Sequence, residues 1–166
     1  MERQGPGRLR RGGREVPRHD DGRRDPRLHP RRAGSVGLIY LDSSIVISAL
    51  QDAGSLGRTV REALAATAEI PATSDLVRLE CRVRPIREGD FALATEFDRI
   101  LDEFEQLTLD SGVYRVAADI RARFGLKTPD ALHVAAAQVH RCVAFWTSDR
   151  QLNSVVGAMR FQMFDG

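Results

Sequence analysis

The sequence predicts an α/β fold in which a parallel sheet carries helices on both faces. Three observations predict it. From residue 38 onward, short apolar runs alternate with longer helical patterns, as in strand–helix–strand units. The first run, Leu38-Ile39-Tyr40-Leu41, is apolar throughout rather than alternating, which suits a strand buried on both faces. It leads directly into Asp42-Ser43-Ser44, so an acid and two hydroxyls stand at a strand's carboxyl end, where open α/β sheets bind ligands.

Taken in order, the first strand is followed by a helical run from Ile45 to Leu50. A second helix covers Arg58 to Ala68, with Val60, Leu64 and Ala68 at spacing four. Ile70-Pro71-Ala72-Thr73 reads as a short strand whose proline belongs at an edge or first position. Ser74 can cap a helix running to about Arg87, ended by Gly89. Asp90 caps the next helix, Phe91 to Phe104, and Gln106 to Leu109 forms a third strand. Asp110 or Ser111 caps a helix from Val113 to Phe124, which Gly125 closes. Thr128-Pro129 opens another helix through His140, with threonine as N-cap and proline in the first turn. Cys142-Val143-Ala144-Phe145-Trp146 is a second strongly apolar strand. A short helix over Gln151 to Val156 and a closing strand over Arg160 to Phe164 complete the pattern. No internal repeat is present.

The chain divides into residues 1–35 and 36–166. The first part is rich in Arg, Gly and Pro and almost free of apolar residues, so it cannot offset its own ordering entropy and is expected to be unstructured. It reads either as a flexible RNA-binding arm or as a stretch foreign to the native protein, GC-rich DNA read in another frame, with Val36 as the start; the second reading is preferred. The net charge of +2 hides a division along the same line. Residues 1–35 hold 11 Arg and 5 acids, leaving 14 basic and 18 acidic residues in the remainder. A mildly acidic domain argues against a basic nucleic-acid clamp and suits an acidic pocket neutralised by cations. The two cysteines, Cys81 and Cys142, lie in apolar surroundings and read as reduced, buried thiols of a cytoplasmic protein. No apolar run reaches transmembrane length.

Four acids fall in comparable places. Asp42 and Asp149 follow apolar strands, the latter in Thr147-Ser148-Asp149. Glu80 lies on its helix between Leu76 and Val77 on the wheel, with Val83 nearby, and so on the apolar stripe. Asp130 stands in a helix's first turn and shares a face with Val134 and Ala137. Each also has a plain structural reading. Asp42 and Asp149 can be helix caps, Asp130 a first-turn acid, and Glu80 an i,i+4 partner of Arg84. His133, one turn past Asp130, reads as a satisfied core or rim histidine rather than a metal ligand. If all four carboxylates converge, their repulsion requires hard divalent cations. Two such ions could activate water and stabilise a leaving oxygen in phosphodiester hydrolysis. No phosphate-binding loop, dinucleotide fingerprint or nucleophile triad competes.

Ile39-Tyr40-Leu41-Asp42-Ser43-Ser44-Ile45, the acid Glu80, Thr128-Pro129-Asp130-Ala131-Leu132-His133-Val134-Ala135-Ala136-Ala137 and Trp146-Thr147-Ser148-Asp149 together resemble a PIN-domain ribonuclease. More narrowly they are similar to the VapC toxins of bacterial toxin–antitoxin pairs, over residues 38 to about 164. The resemblance implies the PIN-like three-layer fold and a Mg²⁺-dependent endoribonuclease in which Mn²⁺ can substitute. By position, it makes Asp42 the central metal ligand, has Glu80 and Asp130 complete that site, and gives Asp149 a second, weaker metal. Ser44 and Thr147 would hydrogen-bond the acids or a metal-bound water. It implies an RNA substrate, cleavage to 5′-phosphate and 3′-hydroxyl ends, a homodimer, and a cognate VapB antitoxin that obstructs the pocket. A housekeeping PIN nuclease and an inactive PIN-fold binding module remain alternatives. A haloacid-dehalogenase-type phosphatase is disfavoured because Ser44 stands where that motif has its second Asp. A receiver domain is disfavoured because the only lysine, Lys127, precedes a helix. Arg82, Arg84, Arg87 and Lys127 are candidate phosphate contacts, with ordinary solvated helix charge as the plainer reading.

Overall fold

The computed structural model describes residues 36–165; the expectations for residues 1–35 lie outside the described residues. Five strands form one fully parallel sheet in the order β3-β2-β1-β4-β5, with β1 Leu38–Leu41, β2 Ile70–Ser74, β3 Glu105–Leu107, β4 Ala144–Thr147 and β5 Arg160–Met163. Six helices connect them: α1 Ser43–Gln51, α2 Ser55–Ala66, α3 Asp75–Glu88, α4 Phe91–Leu101, α5 Ser111–Phe124 and α6 Thr128–Val139. A 3-10 turn, Arg150–Ser154, leads into β5.

The chain steps outward from β1 to β2 to β3, then returns to place β4 on the other side of β1. Right-handed crossovers therefore put α1–α4 on one face and α5–α6 on the other. The packing agrees: α1 packs against α2 and α3, α3 against α4, and α5 against α6. Side chains of β1 alternate accordingly. Leu41 faces a cavity of about 310 Å³ that Val46, Leu50, Leu64 and Phe104 also line. Tyr40 points the other way, stacks on Phe145 at 5.4 Å between ring centroids and reaches α6. The seven residues Ala131–Ala137 of α6 are all buried, as expected of a helix apolar on every side.

Several local expectations are corrected. Pro71 is not at a strand's first position or at the sheet's edge; it lies within β2, between β1 and β3. The Ile70 amide donates to Gly37 on the β1 side, so by alternation the proline nitrogen faces β3, whose ladder starts only at Ala72. Thr128 does not cap α6. Lys127 holds the N-cap position with extended backbone, and Thr128 and Pro129 begin the helix itself. Helix α4 stops at Leu101, and β3 starts one residue early, at Glu105. Strand β4 begins at Ala144 because Cys142 is still bonded to the end of α6, through Ala137. Gly89 and Gly125 close α3 and α5 with φ of 76° and 69°, the left-handed region in which a side chain is disfavoured.

Candidate functional site

The four acids singled out in the sequence all lie toward the carboxyl edge of the sheet. Asp42 follows β1, and its amide continues the ladder by donating to the Trp146 carbonyl of β4 at 3.2 Å. Asp149 follows β4. Because α6 returns the chain to the start of a parallel strand, its first turn, with Asp130, stands at the same edge. Glu80 is in the second turn of α3, which leaves the carboxyl end of β2. The strand order reverses between β1 and β4, and such a reversal opens the crevice in which α/β sheets bind ligands.

Asp42 is buried, 6% exposed. Its Oδ1 accepts from the Ser44 amide at 2.9 Å, the Ser44 hydroxyl at 2.5 Å and the Ile45 amide at 3.2 Å, so it caps α1 as the plain reading expected. Burial pushes its carboxyl above the ordinary aspartate range, against the opposing pull of the Ser44 and Thr147 hydroxyls, His133 and the Ile45 amide. The Ser44 hydroxyl also accepts from the Ser148 amide at 3.0 Å, joining the ends of β1 and β4. Asp149 is half-buried; its amide donates to Thr147 Oγ1, and its Oδ1 caps the 3-10 turn by accepting from the Gln151 amide at 2.8 Å. Asp130 is half-buried in the first turn of α6, where the helix dipole favours an anion.

Glu80 departs from its plain reading. Arg84 pairs instead with Glu88, at 2.9 Å. Glu80 Oε2 lies 2.9 Å from His133 Nε2 on α6. Burial acts to raise the Glu80 carboxyl, but the His133 bond and charge, with the Ser43 hydroxyl, leave it below the ordinary glutamate range. The apolar stripe of α3 is buried only in part. Glu80 flanks the buried Val77 and Cys81, whereas Leu79, Val83 and Ile86 are exposed. Among the candidate phosphate contacts, Arg82 reaches Asp98 at 3.6 Å, and Lys127 is the backbone cap of α6.

Sequence reasoning missed the partners of His133. This ring is buried, as expected of a core histidine, and its Nδ1 lies 2.9 Å from the Tyr40 hydroxyl, which in turn lies 2.8 Å from Ser74 Oγ. The available signal was a tyrosine in the middle of an aliphatic strand, since a buried phenol requires a polar partner. Among the described residues, no three His, Cys, Asp or Glu side chains come close enough to hold one ion between them. No described helix is long and apolar enough to cross a membrane.

Three solved structures share the architecture. A toxin–antitoxin complex from Klebsiella pneumoniae is 22% identical, with a TM-score of 0.59, over 70% of this chain and 92% of that one. VapBC2 from Rickettsia felis, bound to a DNA fragment from its promoter, is 14% identical with a TM-score of 0.63, over 77% and 99%. VapC20 from Mycobacterium tuberculosis, a sarcin–ricin-loop-cleaving toxin, is 16% identical with a TM-score of 0.59, over 74% and 98%. At these identities the likeness is one of fold. No curated protein matches the sequence. The family model for the PIN domain matches residues 39–158, from within β1 to just before β5, and on that span the chain belongs to the PIN-domain family.

Proposed function

We propose that this PIN domain is a divalent-metal-dependent endoribonuclease and the toxin of a VapBC-type toxin–antitoxin pair. The observation that carries the nuclease reading is the placement of Asp42, Glu80, Asp130 and Asp149 at one edge of the sheet, beside its topological reversal. Support for the toxin reading is the fold shared with proteins described as toxins and toxin–antitoxin complexes.

The donor chemistry fits Mg²⁺ or Mn²⁺, since the candidate ligands are all carboxylate oxygens. The lack of a three-residue cage among the described residues is compatible with Mg²⁺, which is commonly held by one or two carboxylates together with waters and substrate phosphate oxygens. Asp42 and Glu80 would ligate the main ion, Asp130 would complete that site through a bound water, and Asp149 would serve a second. Bound there, the ions would lower the pKa of a water and offset charge on the phosphate. The chain's own contribution is orientation. Ser44 and the first amides of α1 fix Asp42, Thr147 fixes the loop that carries Asp149, and the N-terminus of α6 favours negative charge beside Asp130. An RNA substrate, a homodimer and a VapB-type antitoxin covering the pocket belong to the same proposal. A PIN-fold binding module without turnover is the alternative reading.

One experiment separates these readings. RNA ends are mapped in cells after induced expression of the wild type and of Asp42→Ala. Discrete new 5′-phosphate ends with the wild type alone support the nuclease. Their absence, with growth unaffected, supports the binding module. Relief of the growth defect by a small gene encoded beside this one would separate a toxin from a housekeeping nuclease.

A further inference from the structure

The bond between Glu80 and His133 joins the two helix layers. Helix α3 lies on one face of the sheet and α6 on the other, so the two side chains meet past the carboxyl end of the strands. An ionised Glu80 can only accept, so His133 Nε2–H is the donor at 2.9 Å. The Nδ1–Tyr40 contact at 2.9 Å and the Tyr40–Ser74 contact at 2.8 Å are satisfied in either ring state: a neutral ring accepts from the Tyr40 hydroxyl, which accepts from Ser74, and a charged ring donates to Tyr40, which donates to Ser74. Each of Ser74, Tyr40 and His133 is buried, and their polar atoms are matched in one chain that ends on a half-buried carboxylate. The chain is anchored in β2, β1 and α6, three elements of the packed core, whereas Glu80 rides on a helix whose outer side is exposed.

We propose that His133 is a positioning residue that fixes the Glu80 carboxylate for divalent-ion binding, with Tyr40 and Ser74 fixing the ring behind it. This rests on the reading of Glu80 as a metal ligand. The bond to Oε2 orients the carboxylate, whose roughly four lone-pair sites exceed what the His133 ring and the Ser43 hydroxyl engage and so leave room for the ion. Donors behind metal-binding groups act in this way, and their loss commonly weakens metal affinity by about 10- to 100-fold.

The test is Mn²⁺ binding by the full-length protein, followed by calorimetry or by the electron paramagnetic resonance of free Mn²⁺, without RNA. His133→Leu is expected to bind Mn²⁺ at least about tenfold more weakly than wild type. His133→Gln, whose amide can still donate toward Glu80, is expected to recover most of the affinity at a similar melting temperature. Tyr40→Phe keeps the buried ring and removes the hydroxyl behind Nδ1; a loss of roughly two- to tenfold, the worth of one hydrogen bond, is expected. If His133→Leu does not fold, Tyr40→Phe and His133→Gln decide. Wild-type Mn²⁺ affinity in His133→Leu, or in Tyr40→Phe where the leucine variant fails to fold, overturns the proposal provided that Glu80→Gln loses affinity. Wild-type affinity in Glu80→Gln overturns the ligand reading beneath it, and with it this proposal.

Discussion

The Ser44 hydroxyl donates to Asp42 Oδ1 at 2.5 Å while accepting from the Ser148 amide at 3.0 Å, so one side chain ties the ends of two neighbouring strands to the most buried of the four acids. Ser44→Ala removes both bonds and leaves the Ser148 amide without this acceptor. The expected cost is about 1–2 kcal/mol in urea unfolding, with the two backbone-amide bonds to Asp42 Oδ1 retained. A loss under about 0.3 kcal/mol would show that water replaces the hydroxyl at no cost.

Asp42 makes a prediction about pH. Burial raises its pKa in the folded state, so the native protein holds that proton to higher pH than the unfolded chain does. Ionising Asp42 therefore removes stability as pH rises from the ordinary value of 3.8 through the raised native value. Asparagine keeps the Oδ1 acceptor and never ionises. In EDTA, Asp42→Asn is expected to be more stable than wild type at neutral pH, with the advantage vanishing toward about pH 3, where both side chains are neutral. Urea unfolding at the two pH values measures this. A variant less stable than wild type at neutral pH would mean that the capping bonds favour the charged carboxylate by more than burial disfavours it.

The two cysteines should be inert in the native state. Both are buried, and burial pushes each thiol up to about 12. At pH 8 that leaves about one thiolate in 10⁴. A disulfide reagent is expected to label neither Cys81 nor Cys142 until denaturant is added. Rapid labelling of one thiol in the folded protein would reveal local opening of α3 or of the α6–β4 junction.

Much of the architecture was legible because it is written in local patterns. Leu38–Leu41 reads as a doubly buried strand from its unbroken apolar run, and Gly89 and Gly125 mark helix ends because each sits in the left-handed backbone that closes a helix. Asp42, Asp90 and Asp110 were readable as caps, because an N-cap carboxylate serves amides two or three residues on. The Thr128 cap failed where two neighbours competed. The helix starts one residue earlier than a threonine cap requires, and Lys127 takes the boundary with no side-chain bond.

The sequence by itself determined the strand–helix alternation, the parallel class and the four acids, two at strand ends and two on inward helix faces. Hydrophobic period, capping residues and turn glycines act within a few positions and need no partner from elsewhere in the chain. Only the tertiary structure decided that β4 returns to the far side of β1, which makes two helix layers and lets α3 and α6 meet beyond the strand ends. That meeting gives Glu80 its partner in His133, 53 residues away, in place of Arg84 one turn on. The physical reason is that an exposed i,i+4 ion pair contributes only about 0.3–0.5 kcal/mol, whereas a buried imidazole must satisfy both of its nitrogens. Burial therefore outweighed proximity along the helix, and burial is set by how the layers pack.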